Sequence, residues 1–379
     1  MSERLVIKNF GPIKHVDLEI KKVNVLIGDQ GTGKSTVAKV LAIMKDFEFL
    51  LTTKELKKDY FIKYNLFNSF NRNTEIIYEN NNYSIYFKAN SFHSTYSNSL
   101  TKLLKSYLEV YNKYIKQPTE KLSKDLVLIK YNIQKEAESF FYVPTERMYS
   151  LLINNTTLLD QKNNTQSLIP TYLLEFASRY LYSKQNQTTT KLEVFDVGFY
   201  IENGNDYIIE KNNKKIKLIE SASGLQSTIP LIILINSLSS GDAYRGLFLI
   251  EEPELNLFPE TQSKLIKFLV EKCLQYNDDV LFTTHSPYIL SSLNNLIQAF
   301  ITGKKKGKST KVDKIIPKKY WLNPEDVSAY LLKFNETENG IIHENIIDKD
   351  GLIKTSKIDQ VSKILNEEFD KIFNIDLGI

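Results

Sequence analysis

The chain has 379 residues, 42% of them hydrophobic, which suggests two to three structural units around a real core. A formal net charge of +4 does not by itself argue for a nucleic-acid partner. A single cysteine, Cys273, excludes an intrachain disulfide framework and a cysteine zinc site, which fits a reducing cytoplasm. The opening MSERLVIKNF lacks the form of a signal peptide. The longest strongly apolar run, 229-IPLIILI-235, falls far short of the ~20 residues a membrane span needs. The expectation is a cytoplasmic protein with no membrane segment.

In chain order, residues 3–28 read as strand, turn, strand, strand, with Gly11-Pro12 at the first turn. The apolar 23-VNVLI-27 runs into 28-GDQGTGKST-36, and 37-VAKVLAIMKDFEFLL-51 has helical spacing. The runs 75-EIIYE-79 and 83-YSIYF-87 form a hairpin around an Asn triplet. From about Ser91 to Lys135 the pattern is helical. The strand 140-FFYVP-144 follows, then a helix over 171–183 between the polar loops 154-NNTT-157 and 184-KQNQTTTK-191. A second hairpin covers 207–219, and 221-SASGLQS-227 opens an apolar helix to about Leu238. The strands 247-LFLI-250 and 280-VLFTT-284, with a helix over 261–276 between them, imply a βαβ unit. The tail from about Asn323 reads as mixed and polar. No sustained heptads appear, so the middle is a short helical insertion.

Four motifs carry chemistry. In the Walker A loop, Gly28, Gly31 and Gly33 let the backbone turn its N–H groups toward phosphate oxygens, and the helix behind adds a favourable field. Asp29, Gln30, Thr32 and Thr36 complete the ATP-binding loop. Lys34 would neutralise the β and γ phosphates, and Ser35 would ligate Mg²⁺. The apolar strand ending in Glu251 and Glu252 supplies a metal-holding acid and then a group that polarises the attacking water. His285, just past another core strand, is placed to contact the γ phosphate and that water. The run 222-ASGLQ-226 matches a Leu-Ser-Gly-Gly-Gln signature at Ser223, Gly224 and Gln226.

In the order P-loop, signature, Walker B, histidine, the set resembles the ABC ATPase superfamily, in its SMC/RecF/OLD-like branch. The blocks 7-IKNFGPIKHVDLEI-20, 251-EEPELNLFP-259 and 284-THSPYIL-290 are similar to those of that branch, with Glu251 standing where most members have Asp. The block 141-FYVPTERM-148 resembles one found in small OLD-like ATPases. The resemblance implies an α/β fold: an ABC-type P-loop ATPase head, a mixed β-sheet core with helices, carrying a short α-helical insertion. The division would be an ATPase lobe with Walker A (1–90), a mainly helical insertion (91–190), a lobe with signature, Walker B and histidine (191–300) and a C-terminal extension (301–379). It also implies a head-to-head homodimer in which Ser223 and Gly224 of one chain reach the ATP of the other, with Glu252 driving release by hydrolysis. Glu146 and Arg147 are candidates for the Q-loop position, with an ordinary surface pair as the other reading.

Small stand-alone ATPases of this appearance resemble those of bacterial anti-phage defence modules of the Septu, PARIS and retron-associated kinds. By that analogy the chain gates or scaffolds a separate effector such as a nuclease. One alternative is a RecF-like repair ATPase that binds DNA directly. The stretch 303-GKKKGKSTKVDKIIPKK-319, eight lysines against one Asp, would follow a phosphate backbone in that case, or is simply solvated. A transporter-type nucleotide-binding subunit is the other alternative. Only about 90 residues follow His285, with 348-DKDG-351 as the sole Asp-x-Asp, so a full Toprim nuclease domain is not expected in this stretch.

Overall fold

The structure, a computed structural model, describes residues 3–137, 139–153, 169–185, 189–210, 213–238 and 246–354, together with Glu367. The expected loop at 154–157 and the middle of the stretch 184–191 lie outside the described residues, as does the tail past 354 apart from Glu367.

Strands β1 (Glu3–Phe10) and β2 (Ile13–Ile20) pair around Gly11, whose φ is 53°. Strand β3 (Val23–Ile27) is buried at every position, as a strand covered on both faces must be. Its side chains alternate between two cores. Leu26 packs with Val37 and Leu41 on one face, while Val23, Val25 and Ile27 join Leu290 and Leu293 on the other. Helix α1 (Lys34–Met44) starts directly from the glycine-rich loop, and a short helix α2 (Phe47–Leu51) follows a cap by the Asp46 carboxylate.

The hairpin of β4 (Glu75–Glu79) and β5 (Tyr83–Lys88) forms as the sequence predicts. Residues 91–96, expected to be helical, are instead a third strand, β6 (Ser91–Tyr96). Ala89 and Asn90 both take positive φ, 50° and 62°, which closes a tight turn and returns the chain onto β5. The helical pattern then appears as α3 (Asn98–Lys116) and α4 (Glu120–Ala137), which pack on each other. Further helices are α5 (Thr171–Gln185), α6 (Ser223–Leu238), α7 (Pro259–Tyr276), α8 (Pro287–Gly303) and the short α9 (Ser309–Asp313).

A small antiparallel sheet joins β8 (Thr189–Leu192), β9 (Val197–Glu202), β10 (Asn205–Ile209) and β11 (Lys215–Lys217). The main sheet adds β7 (Ser139–Val143), β12 (Gly246–Glu251), β13 (Asp279–Thr284), β14 (Val327–Asn335) and β15 (Gly340–Asn345). Its eleven strands run in the order β6-β5-β4-β1-β2-β15-β14-β3-β13-β12-β7. This is a mixed α/β fold, a mixed β-sheet core with helices, as expected. The block β14-β3-β13-β12-β7 is all parallel, so the loops that follow β3, β12, β13 and β7 emerge at one edge, where a ligand crevice forms in such sheets.

The tail read as mixed and polar is the main correction. Strands β14 and β15 sit in the middle of the sheet, between β3 and β2. Their polar residues have buried partners. The Ser328 hydroxyl donates to Asn24 Oδ1 at 2.7 Å, and Asn24 Nδ2 donates to the Val280 carbonyl at 3.0 Å, so one buried amide stitches β14, β3 and β13.

Candidate nucleotide site

The loop after β3 is shaped by its glycines. Gly31 and Gly33 have φ of 77° and 74°, a region where a Cβ is costly. A Cβ on Gly28 would lie 2.2 Å from the Leu332 carbonyl oxygen of β14. The C-terminal strand therefore presses against the first Walker A glycine, a contact the sequence did not announce.

Lys34 folds back over this loop. Its ammonium donates to the carbonyls of Gly28 and Asp29, each at 2.8 Å, and approaches His285 Nδ1 at 3.4 Å. Burial lowers its pKa, against the opposing pull of Glu252, Asp29, Glu254 and Glu251. Thr32 donates its hydroxyl to the Asp29 carbonyl at 2.7 Å. Asp29 and Gln30 are exposed at the tip, and Ser35 and Thr36 lie in the first turn of α1.

Glu251 ends β12 almost wholly buried, and its Oε1 has no hydrogen-bond partner. The Tyr142 hydroxyl beside it is also buried and unpartnered. Burial pushes the Glu251 carboxyl above the ordinary carboxylate range, against the opposing pull of Lys39 and the neighbouring Tyr142 and Ser35 hydroxyls. A buried carboxylate with an unpartnered oxygen is costly unless a cation completes it. The residues present thus fit Mg²⁺, which Ser35 and Glu251 would hold. Among the described residues no group of three or more His, Cys, Asp or Glu is arranged to hold a metal alone. Phosphate oxygens and water would have to supply the other positions, the usual habit of this ion.

Glu252, the next residue, holds a φ of 42°, which is strained for a non-glycine residue. Its N–H donates to the Thr283 carbonyl at 2.9 Å, and its Oε1 lies 3.3 Å from His285 Nε2. An ammonium carries three protons. Two go to the loop carbonyls, so the third points toward His285 Nδ1 and Thr32. With Nδ1 as the acceptor, Nε2 would carry the proton toward Glu252. Lys34, His285 and Glu252 form one connected row.

The signature segment stands apart. Ser223 is exposed at the start of α6. Gly224 is buried, and a Cβ there would meet the Asn256 carbonyl at 2.6 Å, so it packs on the loop after Walker B. Gln226 turns inward and donates to the carbonyls of Ile219 and Ser221, at 3.0 and 2.7 Å. Among the described residues no hydrogen bond or ion pair joins these three to the Walker A loop.

Two residues gain roles that spacing did not reveal. Arg147, read as half of a surface pair or a Q-loop candidate, is fully buried. Its guanidinium donates to the carbonyls of Pro144, Ser227, Glu251 and Glu252, at 3.1, 2.7, 2.8 and 2.9 Å, and ties the signature helix to Walker B. Burial lowers its pKa to about 10, still a cation at neutral pH. Glu146 is half-buried and accepts from the Tyr172 hydroxyl at 3.3 Å. Glu254 is the second such residue. Its Oε1 accepts from the His285 N–H at 2.9 Å and from the Thr284 hydroxyl at 2.6 Å. Its position in 251-EEPE-254 was a signal, but a third acid after a strand reads as surface charge.

A family described as the AAA ATPase domain matches residues 1–172 and 155–290. The chain belongs to the AAA ATPase domain family. No curated protein matches this AAA ATPase domain chain. Among solved structures it is similar to the SMC head domain from Thermotoga maritima, at 10% identity over 91% of this chain and 99% of that one, with a TM-score of 0.43. It is similar to an SmcHead bound to the C-winged helix domain of ScpA, at 8% identity, 90% and 96% coverage and a TM-score of 0.48. A third is an Smc head domain with an extended coiled coil, bound to the C-terminal domain of ScpA derived from Pyrococcus furiosus, at 10% identity, 96% and 98% coverage and a TM-score of 0.40. Among the described residues of the AAA ATPase domain protein, no helix is long and apolar enough to cross a membrane.

Proposed function

We propose that the chain is an Mg²⁺-dependent ATP hydrolase of the ABC type that closes head to head on ATP as a homodimer and gates a separate effector. One observation carries the dimer. Walker A, Glu251, Glu252 and His285 lie toward one edge of the sheet, while Ser223 at the start of α6 is exposed and, among the described residues, makes no hydrogen bond or ion pair to its own Walker A loop. A half-site of this kind is completed by a second copy that offers its own signature end.

In this reading the Walker A amides and Lys34 hold the β and γ phosphates, and Lys34 hands over from its loop carbonyls to do so. Mg²⁺ would draw charge off the phosphate oxygens, held by Ser35 and Glu251. Glu252 aligns the attacking water and takes its proton. His285 holds Glu252 through Nε2–H and keeps the carboxylate aimed.

Calorimetry tests the site. Lys34→Ala should abolish ATP binding while the protein stays folded, and retained affinity would remove the P-loop reading. The effector, and a setting in anti-phage defence, rest on analogy with small stand-alone ATPases of similar appearance and not on particular residues. Affinity purification of tagged Glu252→Gln with nuclease treatment tests them. A stoichiometric nuclease or toxin supports gating, and a bare dimer counts against it.

A RecF-like, DNA-binding reading is favoured by a different observation. Of the eight lysines over 304–319, seven are without an ion pair among the described residues, and only Lys319 meets a carboxylate, Glu271 at 2.9 Å. Replacing Lys304, Lys305 and Lys306 with Glu should then weaken duplex binding and flatten its salt dependence. Unchanged affinity at low salt ends that reading.

A further inference from the structure

We infer that Glu254 is a positioning residue that fixes the Lys34–His285–Glu252 row by clamping the backbone of His285. The inference rests on the ATPase reading above.

The connections run through short, direct bonds. Oε1 of Glu254 is the acceptor for the first N–H past β13, that of His285, at 2.9 Å. The same oxygen takes the Thr284 hydroxyl at 2.6 Å. The Thr284 hydroxyl in turn accepts the Ser286 N–H at 2.9 Å, and the Ser286 hydroxyl donates to Gln262 of α7 at 2.6 Å. The histidine is therefore held at its backbone from below, and its ring is left free to bridge Lys34 and Glu252.

Glu252 and Glu254 also share one tight loop. The Leu255 N–H donates to the Glu252 carbonyl at 3.1 Å, and the Leu257 N–H to the Glu254 carbonyl at 2.9 Å. Any shift of Glu254 thus moves both ends of the His285–Glu252 contact. Oε2 of Glu254 is buried without a hydrogen-bond partner.

The roles separate by variant. Glu254→Gln keeps an acceptor oxygen at the same reach. Glu254→Asp keeps the charge but withdraws the oxygen by one methylene. Glu254→Ala removes both. Steady-state kinetics should show kcat falling on the order of 10²-fold in E254A and E254D, with the KM for ATP nearly unchanged, since a small misplacement of catalytic groups has that scale. E254Q should stay within about tenfold of wild type. Wild-type kcat in E254A, or E254Q as inactive as E254A, overturns the clamp. So does a rise in KM equal to the fall in kcat.

A second readout does not depend on turnover. The chain has four histidines, so the imidazole ¹⁵N signals of His285 can be resolved. Wild type and E254Q should show the Nε2–H tautomer, and E254D should lose it. An unchanged tautomer in E254D contradicts the proposal. If wild type does not hydrolyse ATP, the ATPase reading fails by itself, and the spectra still decide the clamp.

Discussion

The loop after β12 and the segment that opens α6 are both rich in site-type residues, but they are built differently. In residues 251–257 the polar groups are buried, strained or left half-satisfied: the orphaned Oε1 of Glu251, the φ of 42° at Glu252, the unpartnered Oε2 of Glu254. In residues 221–227 the polar groups are spent at home. Gln226 donates to Ile219 and Ser221, the Ser221 hydroxyl donates to the Leu218 carbonyl at 2.7 Å, and Ser223 is left facing solvent. Stored cost marks the first as a place where a ligand is to be received. Local satisfaction marks the second as a preformed face to be presented.

Arg147 joins the two regions, so its loss should have the largest effect. Arg147→Ala takes the shared guanidinium donor away from four carbonyls and opens a cavity. Destabilisation of about 4 kcal/mol or more is expected, read by denaturant melts. A midpoint close to wild type would mean the two regions are not held by this guanidinium.

Glu251→Gln sharpens the contrast from the other side. Without metal it should stabilise the protein by ~1 kcal/mol, because it removes a buried carboxylate with an unpartnered oxygen. Mg²⁺-dependent nucleotide binding should be lost with it. The pH sign follows from the raised carboxyl. In wild type the Glu251 contribution is complete below the ordinary carboxylate range and is lost as pH climbs through the higher folded-state value. The stability gap between E251Q and wild type should therefore widen as pH rises through that window and close again when Mg²⁺ and ATP are added. A gap that shrinks with pH would contradict the account.

Gln226→Ala should do least. It removes local bonds worth ~1 kcal/mol and leaves ATP affinity of the isolated chain unchanged. A large loss of ATP affinity would show that Gln226 serves its own chain's nucleotide.

Much of the site was legible because its signals are short in sequence. The Walker A spacing, the apolar β12 and β13 and the acids and histidine just after them are each read within a dozen residues. The βαβ unit and both hairpins follow from the same local patterns. What failed was long in range. The run 327-VSAYLLKFN-335 looks like polar tail until Ser328 meets Asn24, 304 positions away. Arg147 looks like a surface cation until four carbonyls converge on it. Residues 91–96 turn into a strand because Ala89 and Asn90 bend the chain back onto β5, and the helical spacing downstream hid that turn. Glu254 needed the backbone of His285 to be in place before its role could be seen.

The central claim is that one chain carries half a site, completed by a second copy on ATP. The most direct measurement is light scattering of Glu252→Gln with and without ATP and Mg²⁺, beside the double variant that adds Ser223→Arg. The account predicts a dimer for Glu252→Gln only when ATP and Mg²⁺ are present, and a monomer that still binds ATP once Ser223 is replaced. Glu252→Gln that binds ATP and stays monomeric, or a dimer indifferent to Ser223→Arg, would contradict it.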